Sequence, residues 1–176
     1  MAHASLETPS EWVARWAPLV ARGPVLDIAC GAGRHARLFL QRKLPVVGVD
    51  REAQVLPEGA IFVKADLEDG RPWPFAGQRF GAIVVTNYLY RPLLPVIAAA
   101  LADEGVLIYE TFMAGNERFG KPSNPSFLLE PGELLRAFAS LTVVAFEQGT
   151  VERPKIASIQ RICALRGSAE GAKIAA

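Results

Sequence analysis

Short apolar runs alternate along this chain with stretches whose apolar positions recur every three to four residues. That alternation predicts strands and amphipathic helices in turn. Strands are expected at 24–29, 46–49, 60–64, 80–85, 105–111, 141–146 and 156–165. Helices are expected at 34–43, where Ala36, Phe39 and Leu40 share a face, at 93–101, and at 131–138, opened by Pro131. An earlier helix begins at Thr8-Pro9-Ser10-Glu11: Thr8 caps, Pro9 takes the first helical position and Glu11 completes a capping box. Trp12, Val13 and Trp16 give it an apolar face, Pro18 kinks or ends it, and Gly23-Pro24 closes the segment. The segment 51–59, between the second and third strands, has room for little more than one or two helical turns.

Strands alternating with helices indicate an α/β fold with a mainly parallel sheet. The last two strands have no helix between them, only a turn around Glu152-Arg153-Pro154, so they form an antiparallel hairpin.

The length of 176 residues and a hydrophobic content of 51% suit one domain with a sizeable core. The expected organisation is a single domain over 1–166 with a frayed tail at 167–176. A net charge of +1 gives no general attraction to nucleic acid or an anionic membrane. Cys30 and Cys163 form no CxxC, and with only His3 and His35 no metal cluster is expected. The first ten residues lack the apolar core of a signal peptide, and no apolar run reaches the roughly 20 residues that span a bilayer. The expected location is the cytoplasm.

Parallel α/β sheets bind ligands at the carboxyl ends of their strands. After the first strand, Gly31-Ala32-Gly33 leads into a helix, allowing backbone to approach a ligand closely. Asp27, just before that loop, is unsuited to a pyrophosphate and suits a cation such as the amino group of a methionine moiety. Asp50, after the second strand, is placed to accept from both hydroxyls of a ribose. Asp66-Leu67, after the third, can grip adenine through the carboxylate and a backbone N–H. Thr86-Asn87-Tyr88-Leu89, after the fourth, lies beside the reacting centre.

The series Asp27…Gly31-x-Gly33, Asp50, Asp66, Asn87-Tyr88 resembles the class I S-adenosylmethionine-dependent methyltransferases over roughly 23–165. The stretch from Leu26 to His35 is also similar to small bacterial methyltransferases of the tellurite-resistance group. The resemblance implies a single-domain Rossmann-like sheet of seven strands in the order 3-2-1-4-5-7-6, with strand 7 antiparallel. It implies S-adenosylmethionine as cofactor, S-adenosylhomocysteine as product and no metal. Its cofactor-binding set is Asp27, Ala29, Cys30, Gly31, Gly33, Asp50, Arg51, Asp66, Leu67, Asn87 and Tyr88. Ala29 departs from the pattern, which usually has glycine there.

Gly31-x-Gly33-x-x-Ala36 with Asp50 also satisfies a dinucleotide fingerprint, so an NAD(P)-binding protein is the rival, as is a non-catalytic nucleoside-binding module. Against NAD stand Asp27, the absence of a Tyr-x-x-x-Lys pair, and the terminal hairpin. Tyr88 and Glu110 are the catalytic candidates, Glu110 either orienting a substrate or acting as a base. Cys30 is expected to be a small packing residue and His35 a polar surface or cap residue. Asn87-Tyr88-Leu89-Tyr90 lacks the prolines of the Asn-Pro-Pro-Tyr sites that methylate amino groups on bases or glutamine. There is no basic RNA-binding motif, so a small-molecule acceptor is expected. The glycine- and proline-bearing segment 112–127 is expected to overhang the carboxyl edge, with Arg118 and Lys121 as anion contacts or solvated cations.

Overall fold

A computed structural model describes residues 8–170. The expectations for His3 and for residues 171–176 lie outside these residues. Seven strands form one sheet in the order β3-β2-β1-β4-β5-β7-β6: β1 (Val25–Ile28), β2 (Val46–Asp50), β3 (Ala60–Lys64), β4 (Phe80–Thr86), β5 (Leu101–Phe112), β6 (Thr142–Val151) and β7 (Ala157–Leu165). Strands β1 to β5 run parallel, while β7 is antiparallel to both β5 and β6. The expected topology is therefore the observed one.

Two layers cover the sheet, because side chains alternate between its faces. On one face, α1 (Glu11–Trp16) and α2 (Arg34–Gln41) bring Trp12, Trp16 and Phe39 onto Val25, Val46, Val84 and Ile108. On the other, α3 (Leu94–Ala100) and α4 (Glu133–Ala137) bring Ile97, Leu134 and Phe138 onto Leu26, Ile83, Leu107 and Tyr109. Each large side chain buried in this way contributes roughly 1.5–3 kcal/mol.

Several boundaries differ from expectation for tertiary reasons. The cap of α1 is Ser10, not Thr8: its hydroxyl accepts from the Trp12 and Val13 N–H groups. The same hydroxyl donates to Glu110 at 2.7 Å, a partner distant in sequence. Helix α1 ends at Trp16, and Pro18 sits in a short 3-10 turn, Ala17–Leu19. Helix α4 starts at Glu133 rather than Pro131, after a left-handed Gly132 (φ 68°). Its entry is closed by side chains of the terminal hairpin: Gln160 accepts from the Leu134 N–H at 2.7 Å and Gln148 from the Gly132 N–H at 2.9 Å. Strand β6 continues past Phe146 to Val151, since edge pairing with β7 carries the polar run Glu147-Gln148-Gly149-Thr150. Strand β5 starts at Leu101, beside Phe80 of β4.

The segment between β2 and β3 holds no helix at all, and neither does the link from β3 to β4. Cover is thin there, with Ile61 62% and Val55 91% exposed. Of the expected tail, residues 167–170 are described; Ala169 packs against the α1–α2 cluster.

Candidate cofactor site

Because β1, β2, β3, β4 and β5 are parallel, the residues that follow them share one edge. The alternation of side chains sorts that edge further. Asp27 lies on the same face of its strand as Val25, Asp50 as Val46, Thr86 as Val84, Glu110 as Ile108 and Arg161 as Cys163. All five therefore face the α1–α2 layer.

The chain leaves β1 through three left-handed residues, Ala29 (φ 54°), Gly31 (φ 50°) and Gly33 (φ 77°). A glycine adopts this conformation without penalty, whereas alanine is strained by about 1–2 kcal/mol. That is the physical content of the departure at Ala29. At Gly33 a Cβ would lie 2.8 Å from Pro57 Cδ and 2.9 Å from Leu56 Cδ2, while at Gly31 it would meet nothing within 4 Å. Gly33 is thus needed for packing, and Gly31 faces open space. Its N–H donates to Asp50 Oδ2 at 3.0 Å. Cys30 is a packing residue: its Sγ would lie 2.9 Å from a Cβ at Gly48. Burial, then the charges of Asp27 and Asp50, push its thiol up to about 12. A thiol held so high is no nucleophile.

Asp27 sits between Gly48 and Val84 in the middle of the sheet, 1% exposed. Neither carboxylate oxygen has a hydrogen-bond partner among the described residues. An unpaired carboxylate in such a place costs several kcal/mol unless a cation or donors meet it. Two groups of α2 approach. His35 Nδ1 lies 3.8 Å from Asp27 Oδ1, with the ring 2% exposed. His35 is therefore not the surface or cap residue expected, because it shares the buried face of α2 with Ala36 and Phe39. Its Nε2 accepts from the Ser10 N–H at 3.2 Å. Arg34 is partly buried and, among the described residues, makes long bonds, 3.4 Å to Thr86 Oγ1 and 3.4 Å to the Thr8 carbonyl. Burial lowers its pKa, opposed by the charges of Asp27 and Glu110.

Asp50 is half-buried and works in two places, Oδ2 on Gly31 and Oδ1 accepting from the Glu52 N–H at 3.0 Å. It both braces the loop and caps the following turn. Arg51 is exposed, with Nε 3.8 Å from Glu52 Oε1. Asp66 is exposed and accepts from the Glu68 N–H at 2.9 Å, while Leu67 packs against the core. Asn87 is left-handed (φ 55°), and its N–H donates to the Glu110 carbonyl at 3.0 Å. Tyr88 is half-buried, and its carbonyl accepts from the Tyr109 hydroxyl at 2.8 Å. Burial, with the carboxylate of Glu68 beside it, raises the Tyr88 phenol.

Glu110 is the counterpart of Asp27. Oε1 accepts from Ser10 Oγ at 2.7 Å and Oε2 from Arg161 Nη1 at 3.1 Å. Arg161 also bonds Glu147 and lies 4.7 Å from the Trp12 ring centroid. Sequence inspection singled out neither Ser10, Arg34 nor Arg161. His35 had one local signal, its helical spacing with Ala36 and Phe39.

The segment after β5 is pinned rather than free. It holds two 3-10 turns, Asn116–Arg118 and Pro125–Phe127. Buried Asn116 donates to the Pro122 carbonyl at 2.9 Å and accepts from the Ser158 N–H at 3.1 Å. Arg91 donates to the Ser126 and Leu128 carbonyls and pairs with Glu133 at 2.7 Å, so it is a strut between the start of α3 and this loop. Arg118 donates to the Gly115 carbonyl at 3.1 Å and lies over Phe119, and Lys121 is exposed.

The sequence matches no family model and no curated protein. Solved structures do match. TehB from Haemophilus influenzae superposes with a TM-score of 0.73 at 13% identity over 90% of this chain. This chain spans 62% of the TehB chain. The N-methyltransferase NodS from Bradyrhizobium japonicum gives 0.62 at 14% identity, over 88% of this chain and 94% of NodS. The glycopeptide N-methyltransferase MtfA, complexed with S-adenosylhomocysteine, gives 0.58 at 17% identity, over 88% of each chain. This chain has the fold of the S-adenosylmethionine-dependent methyltransferases.

Proposed function

We propose that the chain is an S-adenosylmethionine-dependent methyltransferase acting on a small-molecule acceptor. The observation that carries this reading is Asp27, a buried carboxylate without a partner, directly beneath a loop of left-handed residues. An anionic carboxylate there would repel the pyrophosphate of NAD(P) and would receive the ammonium of a methionine moiety. The donor set thus fits this cofactor and not its rival.

The residues divide the work along the edge. Asp27 takes the ammonium. Asp50 keeps lone pairs for ribose hydroxyls beyond those engaged by Gly31 and Glu52. Asp66 and the Leu67 N–H face the adenine. Ala29, Cys30, Gly31 and Gly33 supply close-approaching backbone, and Arg51 flanks the ribose. The cofactor supplies a methyl group already activated on a sulfonium. What remains for the protein is to hold the acceptor near 3–3.5 Å in line and exclude water. Asn87 and Tyr88 border that position. Both oxygens of Glu110 are engaged, which favours orientation over proton abstraction. A soft, anionic nucleophile needs no base, and such an acceptor is our proposal. No described helix is long and apolar enough to cross a membrane.

A thermal-shift panel with S-adenosylmethionine, S-adenosylhomocysteine, NAD and NADP tests the cofactor. A ligand at 100 times its dissociation constant should add about 2.7 kcal/mol. Stabilisation by NAD or NADP alone would overturn the reading. Binding of S-adenosylmethionine without turnover of any labelled acceptor would leave a nucleoside-binding module.

A further inference from the structure

Ser10 ties the cap of α1 to both carboxylates of the site, to Glu110 directly and to Asp27 through one histidine. The Ser10 N–H donates to His35 Nε2 at 3.2 Å, and the Ser10 hydroxyl donates to Glu110 Oε1 at 2.7 Å. A ring nitrogen that accepts a backbone N–H carries no proton, so the proton of the neutral ring is on Nδ1. Nδ1 is the atom that faces Asp27 Oδ1, at 3.8 Å. Both side chains are almost fully buried, and Asp27 has no hydrogen-bond partner of its own. Among the described residues, the α2 donor nearest Asp27 is therefore held in its tautomer by Ser10.

We propose that His35 is a positioning residue: its Nδ1–H, fixed by Ser10 at Nε2, orients the Asp27 carboxylate toward the ammonium of the cofactor. The proposal rests on the methyltransferase reading of the same site. It makes the docking of α1 and the binding of cofactor reciprocal, since each favours one arrangement of the same histidine. Asparagine can place its amide nitrogen near Nδ1 as a donor toward Asp27, and glutamine its amide oxygen near Nε2 as an acceptor from the Ser10 N–H. The two substitutions therefore separate the donor toward Asp27 from the contact with Ser10.

The chain has two histidines, so nitrogen-15 spectra of the ring of His35 are assignable with a His3→Ala control. The wild-type protein without ligand should show the Nδ1–H tautomer. Added S-adenosylhomocysteine should slow hydrogen exchange of the Ser10 amide. By calorimetric titration, His35→Gln should weaken S-adenosylhomocysteine by about tenfold and His35→Asn by no more than about threefold, since only asparagine keeps a donor directed at Asp27. An Nε2–H tautomer or an imidazolium in the wild-type protein overturns the proposal, even if neither variant folds. So does equal weakening by both substitutions, which would mark packing alone, or no weakening by either. Failure of the wild-type protein to bind S-adenosylhomocysteine overturns the functional reading itself, and the proposal with it. Wild-type binding with an unaffected His35→Gln overturns the proposal only.

Discussion

Asp27 and Glu110 stand at the same edge of one sheet, on the same face, and differ in one respect. Glu110 is engaged by Ser10 and Arg161, while Asp27 has no hydrogen-bond partner among the described residues. The charge of Glu110 is already answered by the guanidinium of Arg161, which ties it to the architecture. An unsatisfied carboxylate in the interior is a standing cost, and it points to a ligand of opposite charge. The comparison separates residues that hold the site from residues that serve it.

The largest expected effect falls on Asp27. Asp27→Asn should weaken S-adenosylhomocysteine by about a hundredfold or more in titration, since a buried charge-assisted contact is removed. The same variant should melt no lower than wild type, because a buried unpaired charge has gone. Unchanged affinity would erase the distinction between the two carboxylates. Glu110→Ala should do the reverse, lowering stability by about 1–2 kcal/mol in urea unfolding as Arg161 keeps only Glu147 and the α1 cap loses a tie. Affinity should fall by only a fewfold, and a loss as deep as that of Asp27→Asn would place Glu110 in the binding set. The smallest effect is expected at Ala29. Ala29→Gly should relieve the left-handed strain, less the entropy glycine adds to the unfolded chain, a net gain of about 0.5–1 kcal/mol. A destabilised variant would mean that the methyl group is packed and the strain compensated.

The strands and the hairpin were legible in the sequence because apolar runs are local signals, while the order of the strands came from the resemblance to a family. Strand β3 was placed to the residue, and Asp27, Asp50 and Asp66 fell at the strand ends as expected. What escaped depends on register between distant segments. Glu110 and Glu147 both lie opposite Arg161, a cross-strand ladder set by the pairing of β5, β7 and β6. No spacing rule within the sequence contains that pairing. The cap of α1 moved from Thr8 to Ser10 for the same reason, its decisive partner being Glu110. The polar end of β6 carries no alternation, since an edge strand facing water needs none.

The missing helix between β2 and β3 has its own consequence. In the proposed binding mode the methionine end of the cofactor would rest on β1 and β4, at the middle of the sheet and covered on both faces. The adenine end would rest on β3, an edge strand with Ile61 largely in water. Protection against amide exchange should therefore fall steeply from β1 to β3. A ligand anchored at the rigid end would leave by the soft one, so its residence time would be governed by the breathing of a single strand.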